Sequence, residues 1–186
     1  MLLMLIGAFL AMVSLTIPIG GVSVDVLPDF VGYLLIAAGM GQLEQVPIYD
    51  KGRKVALLAA LVSVGILVMG MLDVKLQLYI LCSLLGLGIG SWATWIIALG
   101  LVELEQQVGI PFNGEKLKIP WMIYVTVSVL GYWTMVAGMS GVTDMAELYA
   151  IIVILAPAAA VFYAILLFSG WRGYVDYQKK SGGLTR

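Results

Sequence analysis

Residues 76–102 read LQLYILCSLLGLGIGSWATWIIALGLV, a run without a single charged side chain. A helix needs about 20 apolar residues to cross a hydrocarbon core of about 30 Å, so this run predicts a membrane span over Leu76–Val102. The rest of the chain repeats the pattern, with further spans expected at Leu2–Ile19, Pro28–Leu43, Val55–Leu72, Ile119–Met139 and Met145–Trp171. Charged residues are 11% of the chain, against about 25% in soluble domains, too few to coat a soluble globule. The expected fold class is all-α, a polytopic integral membrane protein of six transmembrane helices. Residues 1–172 would form one membrane domain and 173–186 a short tail. No Lys or Arg precedes the first run and no small-residue cleavage site follows it, so it reads as a retained span and not a signal peptide.

Charge decides the orientation. Of the ten Lys and Arg residues, all but Lys75 fall in the segments 44–54, 103–118 and 172–186. The positive-inside rule places those segments in the cytoplasm and gives an N-in, C-in topology. A net charge of −1 argues against a nucleic-acid partner. The expected surroundings are the lipid bilayer, with a small-molecule solute, a membrane protein partner or a second copy of the chain as the partners to consider.

Two stretches are written nearly alike. Residues 36–45 are IAAGMGQLEQ and residues 97–106 are IALGLVELEQ. Both fall at the expected cytoplasmic end of an even-numbered span, which suggests a tandem helical-hairpin repeat inserted twice in the same sense. Each copy ends on a carboxylate, Glu44 or Glu105, where the negative end of a helix dipole disfavours an acid by about 0.3–1 kcal/mol. Two accounts stay open for this pair. Either Lys51, Arg53, Lys54, Lys116 and Lys118 screen them in weak surface pairs, or they contribute to a cytoplasmic cation vestibule or a partner-docking surface. The acids expected at the other face need no ligand. Asp29 behind Pro28, Asp73, and Asp144 with Glu147 suit helix starts.

Much chemistry is excluded. The chain has no histidine and one cysteine, Cys82, so a Ser-His dyad and a thiolate metal site are ruled out. No Asp, Glu, Lys or Arg falls in the middle third of an expected span, which argues against an intramembrane enzyme or a midplane proton relay. No cofactor and no metal is expected. Aromatic and hydroxyl groups remain. Gly86, Gly90 and Thr94 form a small-residue stripe that admits a neighbouring helix, and Trp92 and Trp95 lie beside it, too deep for an interfacial belt. Trp121 and Trp171 suit the cytoplasmic interface. Tyr132, Trp133 and Thr134 cluster near Gly131 and Gly138, and Pro157 is positioned to kink the sixth span and line a cavity. The candidate ligand-binding residues are Asp29, Tyr33, Trp92, Trp95 and Trp133.

The stretch VDVLPDFVGYLLIAAG, residues 24–39, resembles small multispan membrane proteins of Firmicutes-type bacteria through Leu27, Pro28, Asp29, Gly32 and Tyr33. That resemblance implies a multi-pass protein of the bacterial plasma membrane and carries no activity. The size and span plan are similar to the substrate-capture subunits of energy-coupling-factor transporters, although GAFLA offers only Gly7 and Ala11 in place of an Ala-x-x-x-Ala coupling motif. Two functions follow as expectations. One is a permeation or solute-capture component for a small neutral or aromatic solute. The other is a non-catalytic membrane subunit or assembly factor that binds a protein partner.

Overall fold

Six α-helices and one two-stranded ribbon make up the computed structural model, which describes residues 1–13, 16–19, 22–25, 29–43, 45–72, 74–139 and 146–182. In chain order they are α1 (Leu2–Met12), β1 (Thr16–Ile19), β2 (Val22–Asp25), α2 (Asp29–Gly41), α3 (Ile48–Met71), α4 (Leu76–Val108), α5 (Gly114–Met139) and α6 (Ala146–Gly182). Three helical stretches, Ile48–Met71, Leu76–Val108 and Ala150–Lys180, are long and apolar enough to cross a membrane. Consecutive helices pack against one another, and α6 returns to α1.

The first two expected spans take a different form. Helix α1 has 11 residues and α2 has 13, about 16 and 20 Å at 1.5 Å per residue, so neither helix crosses 30 Å alone. The span expected through Ile19 stops as a helix at Met12, and the chain continues as an antiparallel ribbon pairing Thr16 with Asp25 and Ile19 with Val22. The residues between Ile19 and Val22 are Gly20 and Gly21, a composition that two-residue hairpins favour. Pro18 has no N–H to give a helix, and Ile17, Ile19, Val22 and Val24 are β-branched. Apolarity alone could not separate helix from strand over this segment.

Glycine sets how closely α1 and α2 approach. A Cβ on Gly7 would stand 2.5 Å from the Gly32 carbonyl oxygen, and one on Gly39 would stand 2.6 Å from the Met4 backbone nitrogen. The same device joins α3 to α4, where Gly52 faces Ile96, Gly86 faces Ile66, and Gly100 receives the Tyr49 ring. These pairs run in opposite chain directions, so α3 and α4 are antiparallel. Tyr49 and Tyr163, Ile36 and Ile97, Met4 and Met40, Leu101 and Leu167 fill the centre. The outer surface is apolar instead of charged. Leu61 is 69% exposed and Ile154 is 72% exposed, with Leu85, Ile119 and Val153 among many more, an apolar surface suited to lipid.

At its C-terminal end the chain departs again from expectation. Helix α6 runs for 37 residues through Pro157, about 55 Å, longer than a bilayer core. The segment read as a tail from residue 173 is helix as far as Gly182. Pro157 is exposed on the bundle's outside and lines neither cavity described below.

Candidate functional site

Gly90, Ser91 and Thr94 lie near the middle of the 33-residue α4, and four helices meet there. With no Cβ, Gly90 lets the Tyr33 hydroxyl of α2 rest against the α4 backbone. The Thr94 hydroxyl donates back within its own helix, to the carbonyls of Ser91 at 3.0 Å and Gly90 at 3.3 Å, a local pattern that competes with the helical bonds. From α5, the Trp121 indole N–H donates to the Ser91 carbonyl at 2.9 Å and approaches Thr94 Oγ1 at 3.1 Å. From α6, the buried Tyr163 hydroxyl donates to the Thr94 carbonyl at 2.8 Å. Each bond satisfies a polar group inside an apolar bundle, worth about 0.5–1.5 kcal/mol net and more to lose without replacement. A single polar level therefore ties α4, α5 and α6 together.

Two spaces flank that level. One is small, about 10 Å³, bounded by Ala11, Met12, Tyr33, Leu87, Gly90, Ser91, Thr94 and Tyr124. The other is a groove of about 320 Å³ between α4 and α5, lined by Leu84, Leu87, Gly88, Ser91, Trp92, Trp95, Trp121, Val125 and Val129. The groove opens sideways on the bundle, since Trp92 is 58% exposed and Val129 49%. Trp95 and Trp121 meet at its wall with ring centroids 4.5 Å apart and planes tilted by 42°. The Lys118 ammonium lies 5.9 Å from the Trp95 ring centre, within cation–π reach, and also pairs with Glu115 at 2.7 Å. Ser91 borders both spaces, and its buried hydroxyl oxygen has no hydrogen-bond partner among the described residues.

The sequence-predicted site residues divide between these spaces. Tyr33 lines the small cavity, while Trp92 and Trp95 line the groove. Trp133, 54% exposed, borders neither. Asp29 begins α2 one turn before Tyr33. One of its carboxylate oxygens is fully enclosed. Tyr33 touches the middle of α4, and one helical turn is about 5.4 Å, so Asp29 lies well inside the length of α4. Asp29 is nonetheless the first residue of α2, outside the middle third of that helix.

Sequence reasoning missed Ser91, Tyr124 and Tyr163, and it placed Trp121 at the membrane interface when the indole points inward to α4. The one available signal was spacing, since Ser91 and Thr94 flank the tryptophans already singled out.

The carboxylate question has a local answer. Glu105 Oε1 accepts the backbone N–H of Phe112 at 2.6 Å and of Gly114 at 2.8 Å. Helix α4 closes at Gly109 in the left-handed region, φ 73°, with its N–H on the Glu105 carbonyl at 2.8 Å. The chain then turns so that the donors opening α5 reach back to the Glu105 side chain. An acid disfavoured at the end of one helix is thus favoured at the start of the next. Glu105 joins two helices, and among the described residues it makes no ion pair with a lysine. Glu44 lies outside the described residues, as do Pro28, Asp73 and Asp144. Nor do the two copies of the repeat mark equivalent helix ends. Residues 36–45 run past the end of α2 at Gly41, whereas 97–106 lie wholly inside α4. They do share one end of the bundle, where the Gln107 side chain donates to the Gln45 carbonyl at 3.4 Å.

The chain matches no protein-family model, no curated protein and no solved structure.

Proposed function

We propose that this chain is a six-segment protein of the bacterial plasma membrane, with both termini cytoplasmic, that captures a small neutral or aromatic solute in the α4–α5 groove. The observation that carries the reading is the groove itself. Its volume of about 320 Å³ falls within the range of about 300–1,000 Å³ of small-molecule pockets, and its mostly apolar lining with one polar neighbour is their usual chemistry. Three tryptophans offer stacking faces. The sideways opening lets a solute arrive from the bilayer, and the cavity beside it, at about 10 Å³, is too small to serve as a conduit. The reading as a partner-binding subunit relied on cytoplasmic carboxylates and small-residue stripes; Glu105 is engaged in holding α5, and within the stripe Gly86 faces Ile66 and Gly90 faces Tyr33 of the same chain.

The solute reading is tested with a photoactivatable phenyl diazirine, a small neutral aromatic probe, on the detergent-solubilised chain. Trp121→Ala removes one groove wall and should weaken saturable labelling of 84–95 about tenfold, the equivalent of about 1.4 kcal/mol. Unchanged labelling would count against the groove.

Topology is tested separately, by single cysteines in a Cys82→Ser background. Lys51, Lys116 and Lys179 are exposed at one end of the bundle and Lys75 is the basic residue of the other. An impermeant maleimide added to intact cells should label Lys75→Cys and spare Lys51→Cys, Lys116→Cys and Lys179→Cys. The neighbouring glycines are unsuitable, because a Cβ on Gly52 would stand 2.6 Å from Ile96 and one on Gly114 would stand 2.6 Å from the Val102 nitrogen. Labelling of Lys51→Cys or Lys116→Cys from outside would refute the orientation.

A further inference from the structure

We infer that the Ser91 hydroxyl selects the ligand of the α4–α5 groove, and that this ligand is an aromatic molecule with one hydrogen-bonding N–H or O–H at its edge, as in an indole or a phenol. The inference rests on the groove reading above and adds a polar requirement to it. Of the nine residues that line the groove, Ser91 alone bears a hydroxyl. The others offer aliphatic carbon, tryptophan rings or, at Gly88, bare backbone.

Ser91 is buried with its side chain unmatched. It is 8% exposed, and its hydroxyl oxygen has no hydrogen-bond partner among the described residues. Thr94 shows the ordinary alternative for a helical hydroxyl, donating to the carbonyls of Gly90 and Ser91. The Ser91 carbonyl is in use as well, accepting from Thr94 and from the Trp121 indole N–H. An unmatched buried hydroxyl carries a cost that a ligand can remove. Two spaces border it, and their sizes choose between them. The small cavity, about 10 Å³, carries the hydroxyls of Tyr33, Thr94 and Tyr124 on its other walls. It stands at the lower limit for one water, about 10–15 Å³, and a buried water typically makes about three bonds, which those three hydroxyls already supply. The groove, about 320 Å³, has room for a ring system and no second hydroxyl.

Trp121 sets where that ring lies. Its indole is tied to the Ser91 carbonyl and packs on Trp95 with centroids 4.5 Å apart, so a ring lying along this wall is beside Ser91. Rotation about χ1, among the staggered positions of the serine, turns the oxygen toward the ring's edge. A hydroxyl both donates and accepts, which suits a ring N–H or a phenolic O–H. A site that hydrogen-bonds its ligand rejects an analogue lacking the polar group more strongly than shape alone does.

The test measures competition with the phenyl diazirine on the detergent-solubilised full-length chain, by indole and by indene, its isostere with CH2 in place of N–H. The quantity read is the ratio of half-inhibiting concentrations, indene over indole, compared between wild type and Ser91→Ala so that partition into detergent cancels. That ratio should fall about tenfold in Ser91→Ala, through weaker competition by indole. Without ligand, Ser91→Ala should unfold at a Tm equal to or above that of wild type, because it removes an unmatched hydroxyl. Gel filtration shows whether the variant is folded, and Ser91→Cys, a weak hydrogen-bonding group, replaces it in the same comparison if it is not. An unchanged ratio in a folded variant would overturn the inference and leave the groove reading standing. A lowered Tm with an unchanged ratio would do the same, by showing that the hydroxyl is bonded within the bundle. Suppression of labelling by neither compound would overturn both.

Discussion

Replacing Glu105 with alanine is expected to destabilise the folded chain by about 3 kcal/mol. The carboxylate oxygen accepts two backbone N–H groups, from Phe112 and Gly114, and hydrogen bonds to a charged group are worth about 1.5–3 kcal/mol each. Water at the half-exposed side of Glu105 replaces part of that, which keeps the sum near the lower end. The loss spreads beyond the cap, because the turn it holds seats Phe112. That ring is fully buried, lies 5.9 Å from the Tyr174 ring in an edge-on arrangement, and its carbonyl presses against Gly170 of α6. Glu105→Gln keeps an acceptor without the charge and should cost about half as much. Glu115→Ala removes an exposed i,i+3 pair with Lys118 and should change stability by about 0.5 kcal/mol or less. Thermal unfolding in detergent reads all three. At this chain length the Glu105→Ala loss corresponds to a fall in Tm of roughly 6–12 °C. Equal effects of Glu105→Ala and Glu115→Ala would mean that the carboxylate does not hold α5.

The second large effect belongs to Gly100→Ala, at about 2–4 kcal/mol. The Tyr49 ring lies where the new methyl group would stand, and Tyr49 is 1% exposed with its hydroxyl donating to the Ile97 carbonyl at 3.2 Å. Overpacking of this kind costs about 1–3 kcal/mol, and displacing the ring endangers a hydrogen bond of about 1 kcal/mol. Tyr49→Ala alone leaves a cavity, at about 3–5 kcal/mol by analogy with other aromatic truncations. The two changes should be non-additive, the double variant being more stable than the sum of the singles implies by at least about 1 kcal/mol. Additivity within about 0.3 kcal/mol would show that the ring and the glycine do not press on each other.

These two residues also explain what the repeated stretch means. Its shared isoleucine and glycine are Ile36 with Gly39 in one copy and Ile97 with Gly100 in the other. Both isoleucines are fully buried, and both glycines receive a neighbour, Met4 in the first case and Tyr49 in the second. The similarity records a packing face, and the shared Leu-Glu-Gln adds no common helix end.

Much of the helical plan is legible from apolar runs and from turns rich in charge, because burial in lipid imposes a composition that few soluble segments share. The ribbon between α1 and α2 is not, since Ile17, Ile19, Val22 and Val24 read as apolar whatever their backbone does. Trp92 and Trp95 were legible as candidates through their position beside the glycine stripe. Trp121 was not, because a tryptophan near a span's end suits the interface equally well, and only the contact with Ser91 turns it inward. Glu105 could be recognised as out of place against the helix dipole, but its donors come from beyond a left-handed Gly109 that composition does not reveal.

The central claim is that the α4–α5 groove takes up a small aromatic solute from the side of the bilayer. The most direct test is to irradiate the wild-type chain, reconstituted in phosphatidylcholine vesicles, with the tritiated phenyl diazirine and to map the labelled residues by mass spectrometry. The account predicts saturable labelling concentrated on 84–95 of α4 and 121–129 of α5, suppressed by excess indole. Labelling spread evenly over the exposed apolar faces of α3 and α6 as well, proportional to probe concentration and indifferent to indole, would contradict it.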